Sequence, residues 1–230
     1  MNSQHPAIPP YERLEQAWQP IFALALVELL EGLLSNALSL RTLLPSNTLA
    51  ETISLVLTGL FFFSSLFAWL FFSHRLAHRL TFIFAGWVTA GLVYSVIALV
   101  STMPARARAG TAFTMLTDAV LVWLVNILIF AAWYWLVDSG GPFDRQRADS
   151  LPLDFVFPQQ ANPLPGWKGW RPGFFDYLFL AFNTSTAFSP TDTYILSWRA
   201  KALSMLQAAI SLISLATLAA YAVNLMAAGR

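Results

Sequence analysis

The sequence predicts an all-α, polytopic membrane protein with five transmembrane helices and a short re-entrant, pore-loop-like helix before the last of them. Two features of the composition carry this prediction. Hydrophobic residues make up 57% of the 230-residue chain and charged residues only 11%, whereas soluble globular chains carry about 25% charged residues. The third observation is that the apolar residues are gathered into stretches of roughly 20, the length that crosses a bilayer as a helix.

Five apolar stretches have the length of a membrane span. Their ends are marked by charged residues, by prolines such as Pro45 and Pro104, or by interfacial aromatic residues. The five stretches run approximately over residues 20–40, 52–72, 80–100, 112–137 and 203–226. With an irregular lead-in, the first four form an N-terminal unit over residues 1–137.

A long irregular segment, residues 138–172, separates the fourth span from the C-terminal unit, residues 173–230. It opens with Gly140-Gly141-Pro142 and contains five further prolines. Segments this long without regular structure are usually functional or disordered. Its aromatic residues predict packing onto the membrane face instead of disorder: Phe155, Phe157, Trp167 and Trp170.

A half-length apolar stretch, Phe174 to Phe188, precedes the last span. Fifteen helical residues measure about 22 Å, too short for roughly 30 Å of hydrocarbon, so a re-entrant helix is predicted. Its carbonyl end would carry about half a negative charge. The residues at this end are suited to cation coordination: Thr184, Ser185, Thr186, Ser189, Thr191, Asp192 and Thr193. The alternatives are an amphipathic helix lying flat at the interface, and a tilted sixth span.

Polar residues recur at helical spacing along the last span and share one face. They are Ser204, Gln207, Ser211, Ser214 and Tyr221. Such a stripe is what a pore-lining inner helix needs, but small hydroxyl residues also mediate ordinary helix packing in membranes.

Three acidic residues fall inside predicted spans: Glu28 and Glu31 in the first, and Asp118 near the start of the fourth. Ionisable residues within a span are costly and indicate a functional site by default, here a proton or cation site. The alternative is that the first helix is partly interfacial and that Asp118 reaches water by snorkelling.

Several function classes are disfavoured. The net charge of +1 argues against nucleic acid as a partner. The chain has no cysteine, and His74 and His78, although four residues apart, have no third ligand nearby, so we predict no metal and no cofactor. No nucleophile–base pair can be assembled, so we predict no enzyme activity.

Basic residues leave the orientation open. With five spans, the loops on one side hold nine Arg or Lys residues and those on the other side hold four. Six of the nine lie within residues 138–202, and long loops weigh little in the positive-inside rule.

Four segments of the C-terminal half resemble a family of uncharacterised bacterial integral membrane proteins. They are WLVNILIFAAWYWLVDSGGP at 123–142, DFVFPQ at 154–159, WRPGFFDYLFLAFNTSTAFSPTDT at 170–193 and YAVNL at 221–225. The resemblance implies the bacterial inner (plasma) membrane and no known activity.

The order span, short helix, polar turn, span is similar to the pore module of tetrameric cation channels, which implies a tetramer. No glycine occurs between Phe174 and Asn224, however. A potassium filter of the TVGYG type is therefore not predicted.

We predict from these features an ion-channel-like or transport protein in the lipid bilayer. It would pass small cations through a homo-oligomeric pore lined by residues 184–193 and the last helix. The alternative is a non-transporting scaffold or sensor whose 138–172 segment binds a partner or lipid.

Overall fold

The computed structural model describes residues 18, 22, 25–27, 48–71, 74–108, 112–142, 144–147, 152–162, 165–167, 169–189 and 192–228. The predicted first span therefore lies outside the described residues, except at 22 and 25–27, which are helical. Its carboxylates Glu28 and Glu31 lie outside them as well, as do Pro190 and Thr191.

The described chain is mainly helical. Its α-helices are α1 (Thr48–Phe71), α2 (His74–Arg108), α3 (Ala112–Val137), α4 (Asp144–Arg147), α5 (Pro158–Ala161), α6 (Phe174–Ala187) and α7 (Trp198–Ala228), and a 3-10 turn follows α3 at Asp138–Gly140. Two short strands, β1 (Phe155–Val156) and β2 (Tyr194–Ile195), pair antiparallel with Phe155 opposite Ile195.

Three helices in the described residues are long and apolar enough to cross a membrane. They contain the stretches Arg75–Thr102, Met115–Gly140 and Trp198–Val223. Helix α1 has a shorter apolar part, Val56–Phe71. The prediction of a helical protein with membrane-length helices is confirmed, while the layout of five spans stays a prediction.

Helix α2 differs from the predicted third span at both ends. It begins at His74, six residues before the predicted start at residue 80, and it continues past Pro104 to Arg108. The hydroxyls of Ser101 and Thr102 near this end both donate to the Ala98 carbonyl, at 3.2 and 2.8 Å. The carbonyl that Pro104 leaves without an amide partner is instead that of Val100.

Helix α3 is the centre of the bundle. It contacts α2, α6 and α7, and α1 packs on the far side of α2. Its span is 67% buried, against 39% for that of α2 and 28% for that of α7. A helix that is apolar on all sides and enclosed by neighbours is the expected core element.

Hydrogen bonds from tryptophan to threonine join neighbouring helices. Trp87 Nε1 donates to Thr58 Oγ1 at 2.8 Å between α2 and α1, and Trp133 Nε1 donates to Thr89 Oγ1 at 2.7 Å between α3 and α2. Lipid tails are as apolar as leucine, so such polar contacts and close packing hold membrane helices together.

Gly141 closes the end of α3 against the start of α2. Its φ of 104° lies in a region that only glycine adopts readily. A Cβ at this position would meet the His78 ring, with Cε1 at 2.6 Å. Both the turn and the close approach of α2 therefore require glycine.

We expect Gly141→Ala to lower the free energy of unfolding by about 2 kcal/mol or more, because of backbone strain and the collision with His78. Thermal unfolding in mild detergent measures the change. Gly59→Ala is the matched control: Gly59 lies in α1 with nothing within 4 Å of an added Cβ. Alanine there should be neutral or stabilising. Equal melting temperatures for the two variants would contradict the assignment.

Candidate functional site

Helix α6 runs beside α3 and ends halfway along it. Near its start, the Tyr177 hydroxyl donates to Asp138 Oδ2 at 2.5 Å, at the C-terminal end of α3. Near its end, Ser185 Oγ lies 3.4 Å from Asn126 Nδ2. Asn126 is the twelfth residue of the 26-residue apolar stretch Met115–Gly140. Helix α6 therefore covers only half of this stretch.

After α6, the chain returns to the end of α3 from which the helix started. Strand β2 pairs with β1, and the Leu196 amide donates to the Asp154 carbonyl at 2.9 Å. The Asp154 side chain in turn accepts the Ser139 amide at 2.9 Å, next to the end of α3. Residues 174–197 thus enter and leave on one side, and we call them the half-helix hairpin.

Local signals set the ends of α6. The Gly173 amide donates to Asp176 Oδ2 at 2.7 Å, which caps the first turn. At the other end Phe188 adopts a left-handed backbone, with φ at 56°. Such a conformation is uncommon for a bulky residue. The helix ends at Ala187, one residue before the predicted end at Phe188.

A group of buried polar side chains lies between the end of α6, the middle of α3 and α7. We call it the central polar cluster: Asn126, Tyr134, Thr184, Ser185, Gln207 and Ser211, each with 0% exposure. It includes candidate residues from both predicted sets, the end of the short helix and the stripe on the last span.

Hydrogen bonds connect most of the central polar cluster across the three helices. The Ser185 and Ser211 hydroxyls are 2.5 Å apart, and Asn126 Nδ2 donates to Ser211 Oγ at 2.6 Å. Gln207 accepts from the Tyr134 hydroxyl at 2.5 Å and donates to the Ala181 carbonyl at 2.8 Å. The cluster fixes the end of α6 against α3 and α7.

Two further residues of the polar stripe on α7, Ser214 and Tyr221, are buried too, and Ser204 is partly buried. Ser214 donates to the Ile210 carbonyl of its own helix at 2.9 Å, and Tyr221 donates to the Leu99 carbonyl of α2 at 3.3 Å. The exposed large hydrophobic residues of α7 include Trp198, Met205, Leu212 and Val223. In one copy of the chain, the stripe predicted to line a pore therefore packs helices.

The remaining candidate residues differ in exposure. Thr186, Ser189 and Asp192 are exposed, whereas Thr193 is buried and donates to Asp192 Oδ1 at 3.1 Å. Asp118 is fully buried, about 12 Å along α3 from Asn126, and belongs to neither the hairpin nor the central polar cluster.

A second set of polar residues, which sequence reasoning missed, lies where the hairpin enters. We call it the charged clasp: Asp138, Arg145, Asp154, Tyr177 and Arg199. Asp138 Oδ1 accepts the backbone amides of Asp154 and Phe155 at 3.2 and 3.3 Å. Asp138 Oδ2 accepts from the Tyr177 hydroxyl and from Arg145, the latter at 3.4 Å.

The two arginines of the charged clasp balance its two carboxylates. Arg145 also donates to the Trp135 carbonyl at 3.0 Å and to the Tyr177 hydroxyl, and its guanidinium lies 5.0 Å from the Tyr177 ring centroid. Burial lowers the pKa of Arg145 to about 10, against the opposing effect of Asp138, so the guanidinium stays charged near neutral pH. Arg199 pairs with Asp154 at 3.2 Å.

The middle of the 138–172 segment packs into the protein. Phe155 and Phe157 are 0% and 4% exposed, and both rings contact Tyr177. They therefore lie inside the fold and not on a membrane face. Trp167 is 44% exposed and contacts Trp170.

In the described part of the chain, no three His, Cys, Asp or Glu side chains are grouped so as to hold a metal ion. The polar groups of the described part of the hairpin are hydroxyls, amides, carbonyls and two carboxylates, the partly buried Asp176 and the exposed Asp192.

No family model, no curated protein and no solved structure matches this chain. The function is therefore inferred from the geometry of the protein alone. The resemblance to bacterial membrane proteins and to channel pore modules stays a prediction.

We expect Asp138→Asn to lower the free energy of unfolding by about 3–5 kcal/mol, because it leaves the buried Arg145 guanidinium without its counter-charge. Thermal unfolding in detergent measures the loss, and limited proteolysis of the 138–172 segment should accelerate. Asp144→Asn is the control, since Asp144 is exposed and lies in the same region. A melting temperature unchanged in both variants would show that the charged clasp does not stabilise the fold.

Asn126→Leu keeps the approximate side-chain size and removes the amide that joins α3 to Ser185 and Ser211. We expect a loss of about 1–2 kcal/mol, the upper range for hydrogen bonds between membrane helices. Ser214→Ala is the control, because Ser214 bonds only within its own helix. If Ser214→Ala costs as much as Asn126→Leu in the same unfolding assay, the central polar cluster does not hold the hairpin.

Proposed function

We propose that this protein transports small cations across a membrane, and that the half-helix hairpin is re-entrant with its tip at the membrane midplane. One observation carries the proposal. Helix α6 ends beside Asn126, halfway along a membrane-length stretch, and the chain then returns to the side it came from. Transporters and channels use half-length helices of this kind to bring a helix end to the midplane.

The chemistry at the tip supports a cation as the substrate. The end of α6 presents backbone carbonyls and about half a negative charge. Thr186 and Ser189 add exposed oxygen atoms near it, and we call residues 186–189 the tip. Exposed Asp192 lies on the returning part of the hairpin, two residues before Tyr194. Non-helical backbone at such a depth is tolerated only where it is buried in protein or lines a water-filled cavity. In this proposal the exposed tip residues line the cavity.

Burial gives the other candidate residues a different role. Four buried residues have no exposed surface and make their hydrogen bonds within the packed helices α3, α6 and α7: Thr184, Ser185, Gln207 and Ser211. We assign them to holding the tip in place. The sequence predicts a cation path along residues 184–193 and the last helix. We restrict the proposed path to the tip and Asp192.

One half-length helix cannot enclose a pore, so the proposal includes assembly into a homo-oligomer. The exposed face of α7 is apolar and suits lipid or a second copy equally well. The number of copies, four by analogy with cation channels, stays a prediction. So does the bacterial inner membrane as the location.

The alternative function, a scaffold or sensor that uses the 138–172 segment, has less support. Two of the four aromatic side chains that motivate it, Phe155 and Phe157, are buried in the core. Trp167 remains exposed and available to a partner.

Flux from liposomes tests the proposal. Purified protein is reconstituted, and the efflux of Na⁺, K⁺ and H⁺ is measured against protein-free vesicles. We expect flux of at least one of these cations. Asp192→Asn should lower the rate severalfold, because it removes the exposed carboxylate on the returning part of the hairpin, which a cation passes on its way to the tip. Asp144→Asn removes an exposed charge outside the hairpin and should leave the rate unchanged.

Two results would count against the proposal. Absence of flux for all three cations, from protein that unfolds cooperatively and reconstitutes fully, would contradict cation transport. Equal rates for wild type and Asp192→Asn would remove Asp192 from the path while leaving transport in place.

A further inference from the structure

One end of the helical bundle carries five exposed cationic side chains. Helix α2 begins there, because His78 lies against Gly141 at the end of α3. Helices α6 and α7 begin there too, through the contacts of Tyr177 with Asp138 and of Arg199 with Asp154. We call it the basic end, and its exposed cations are Arg75, Arg79, Arg171, Arg199 and Lys201.

The acidic residues at the basic end do not cancel this charge. Asp138 and Asp154 are buried and already paired with Arg145 and Arg199. Among the described residues, the other acids near this end are Asp144 and Asp192, which are exposed, and Asp176, which is partly buried and accepts the Gly173 amide.

Three of the exposed cations at the basic end make no ion pair with another described residue. They are Arg75, Arg79 and Lys201. Each lies in the first turns of a membrane-length stretch, which begin at Arg75 and at Trp198.

Exposed aromatic residues lie at the same level. Trp198, the first residue of α7, is 77% exposed, and Tyr194 in β2 is 64% exposed. Tryptophan and tyrosine are enriched where a membrane protein passes through the headgroup region. The cations Arg75, Arg79 and Lys201 therefore stand at the depth of lipid phosphates.

We infer that the basic end binds the headgroups of anionic phospholipids and faces the cytoplasm. A phosphodiester is the anion that this depth supplies, and each Arg or Lys near an anionic leaflet strengthens the attraction about fivefold. The positive-inside rule counts residues close to span ends. Arg75, Arg79, Arg199 and Lys201 lie within four residues of where a span begins. They therefore count as span-flanking charges, although two of them fall in the segment that sequence reasoning treats as a long loop.

Lipid enrichment tests the inference. Full-length protein is reconstituted in vesicles of equal phosphatidylglycerol and phosphatidylcholine, extracted in mild detergent, and its co-purifying lipids are quantified by mass spectrometry. We expect wild type to enrich phosphatidylglycerol severalfold. The triple variant Arg75→Gln, Arg79→Gln, Lys201→Gln should bring the ratio close to one.

The matched control is Arg106→Gln with Arg108→Gln, which removes two charges at the far end of α2 and should keep the enrichment. Arg75→Lys with Arg79→Lys preserves charge and should also keep it, which separates a charge effect from misfolding. Wild type without enrichment, or equal losses in the triple and control variants, would overturn lipid binding. Complete displacement of the lipid by inorganic phosphate would overturn the membrane as the source of the anion.

A separate labelling experiment tests which side of the membrane the basic end faces. It uses the absence of cysteine from the chain. Asp144→Cys and Arg108→Cys place single thiols at the basic end and at the far end of α2. In intact bacterial cells, a membrane-impermeant maleimide should label Arg108→Cys and spare Asp144→Cys until the cells are lysed. The reverse pattern would overturn the cytoplasmic orientation.

Discussion

Asp138 stands where the central helix ends, and its carboxylate accepts hydrogen bonds from three separate parts of the chain. Two backbone amides come from the start of β1, one hydroxyl from Tyr177 in α6, and one guanidinium from Arg145. A buried carboxylate without such partners would cost several kcal/mol. Asp138 therefore holds both the 138–172 segment and the half-helix hairpin against the end of α3.

The two polar groups act on opposite ends of the same short helix. The charged clasp fixes its first turns at Tyr177, and the central polar cluster fixes its last turn at Ser185, about 12 Å further along the helix. Phe175, Phe179 and Phe182 form an exposed apolar stripe on another side of the helix, where they line a cavity together with Leu26. Polar contacts therefore hold α6 on the side that faces α3 and α7.

Local signals account for what the sequence predicts well. Helix α6 is predicted to within one residue, because the Gly173 cap and Pro190 bound an apolar run of distinctive length. The partners of the charged clasp are not predictable in this way. Asp138 and Tyr177 are separated by 39 residues, and Arg199 and Asp154 by 45. Periodicity also places Gln207 and Ser211 on one face of α7 without indicating whether that face meets a pore or another helix. The position of α3 in the fold decides whether this face of α7 meets a pore or another helix.

Burial therefore divides residues that a hydroxyl-rich pattern had grouped together. Ser185 and Ser189 are four positions apart and chemically identical, yet one is enclosed between α3 and α7 and the other is exposed. A cation that approached Ser185 would have to break the 2.5 Å contact with Ser211 and displace Asn126. A cation at the tip meets no such barrier. If the protein conducts, the selective contacts are expected at the tip, and substitutions in the central polar cluster should act on flux only through stability.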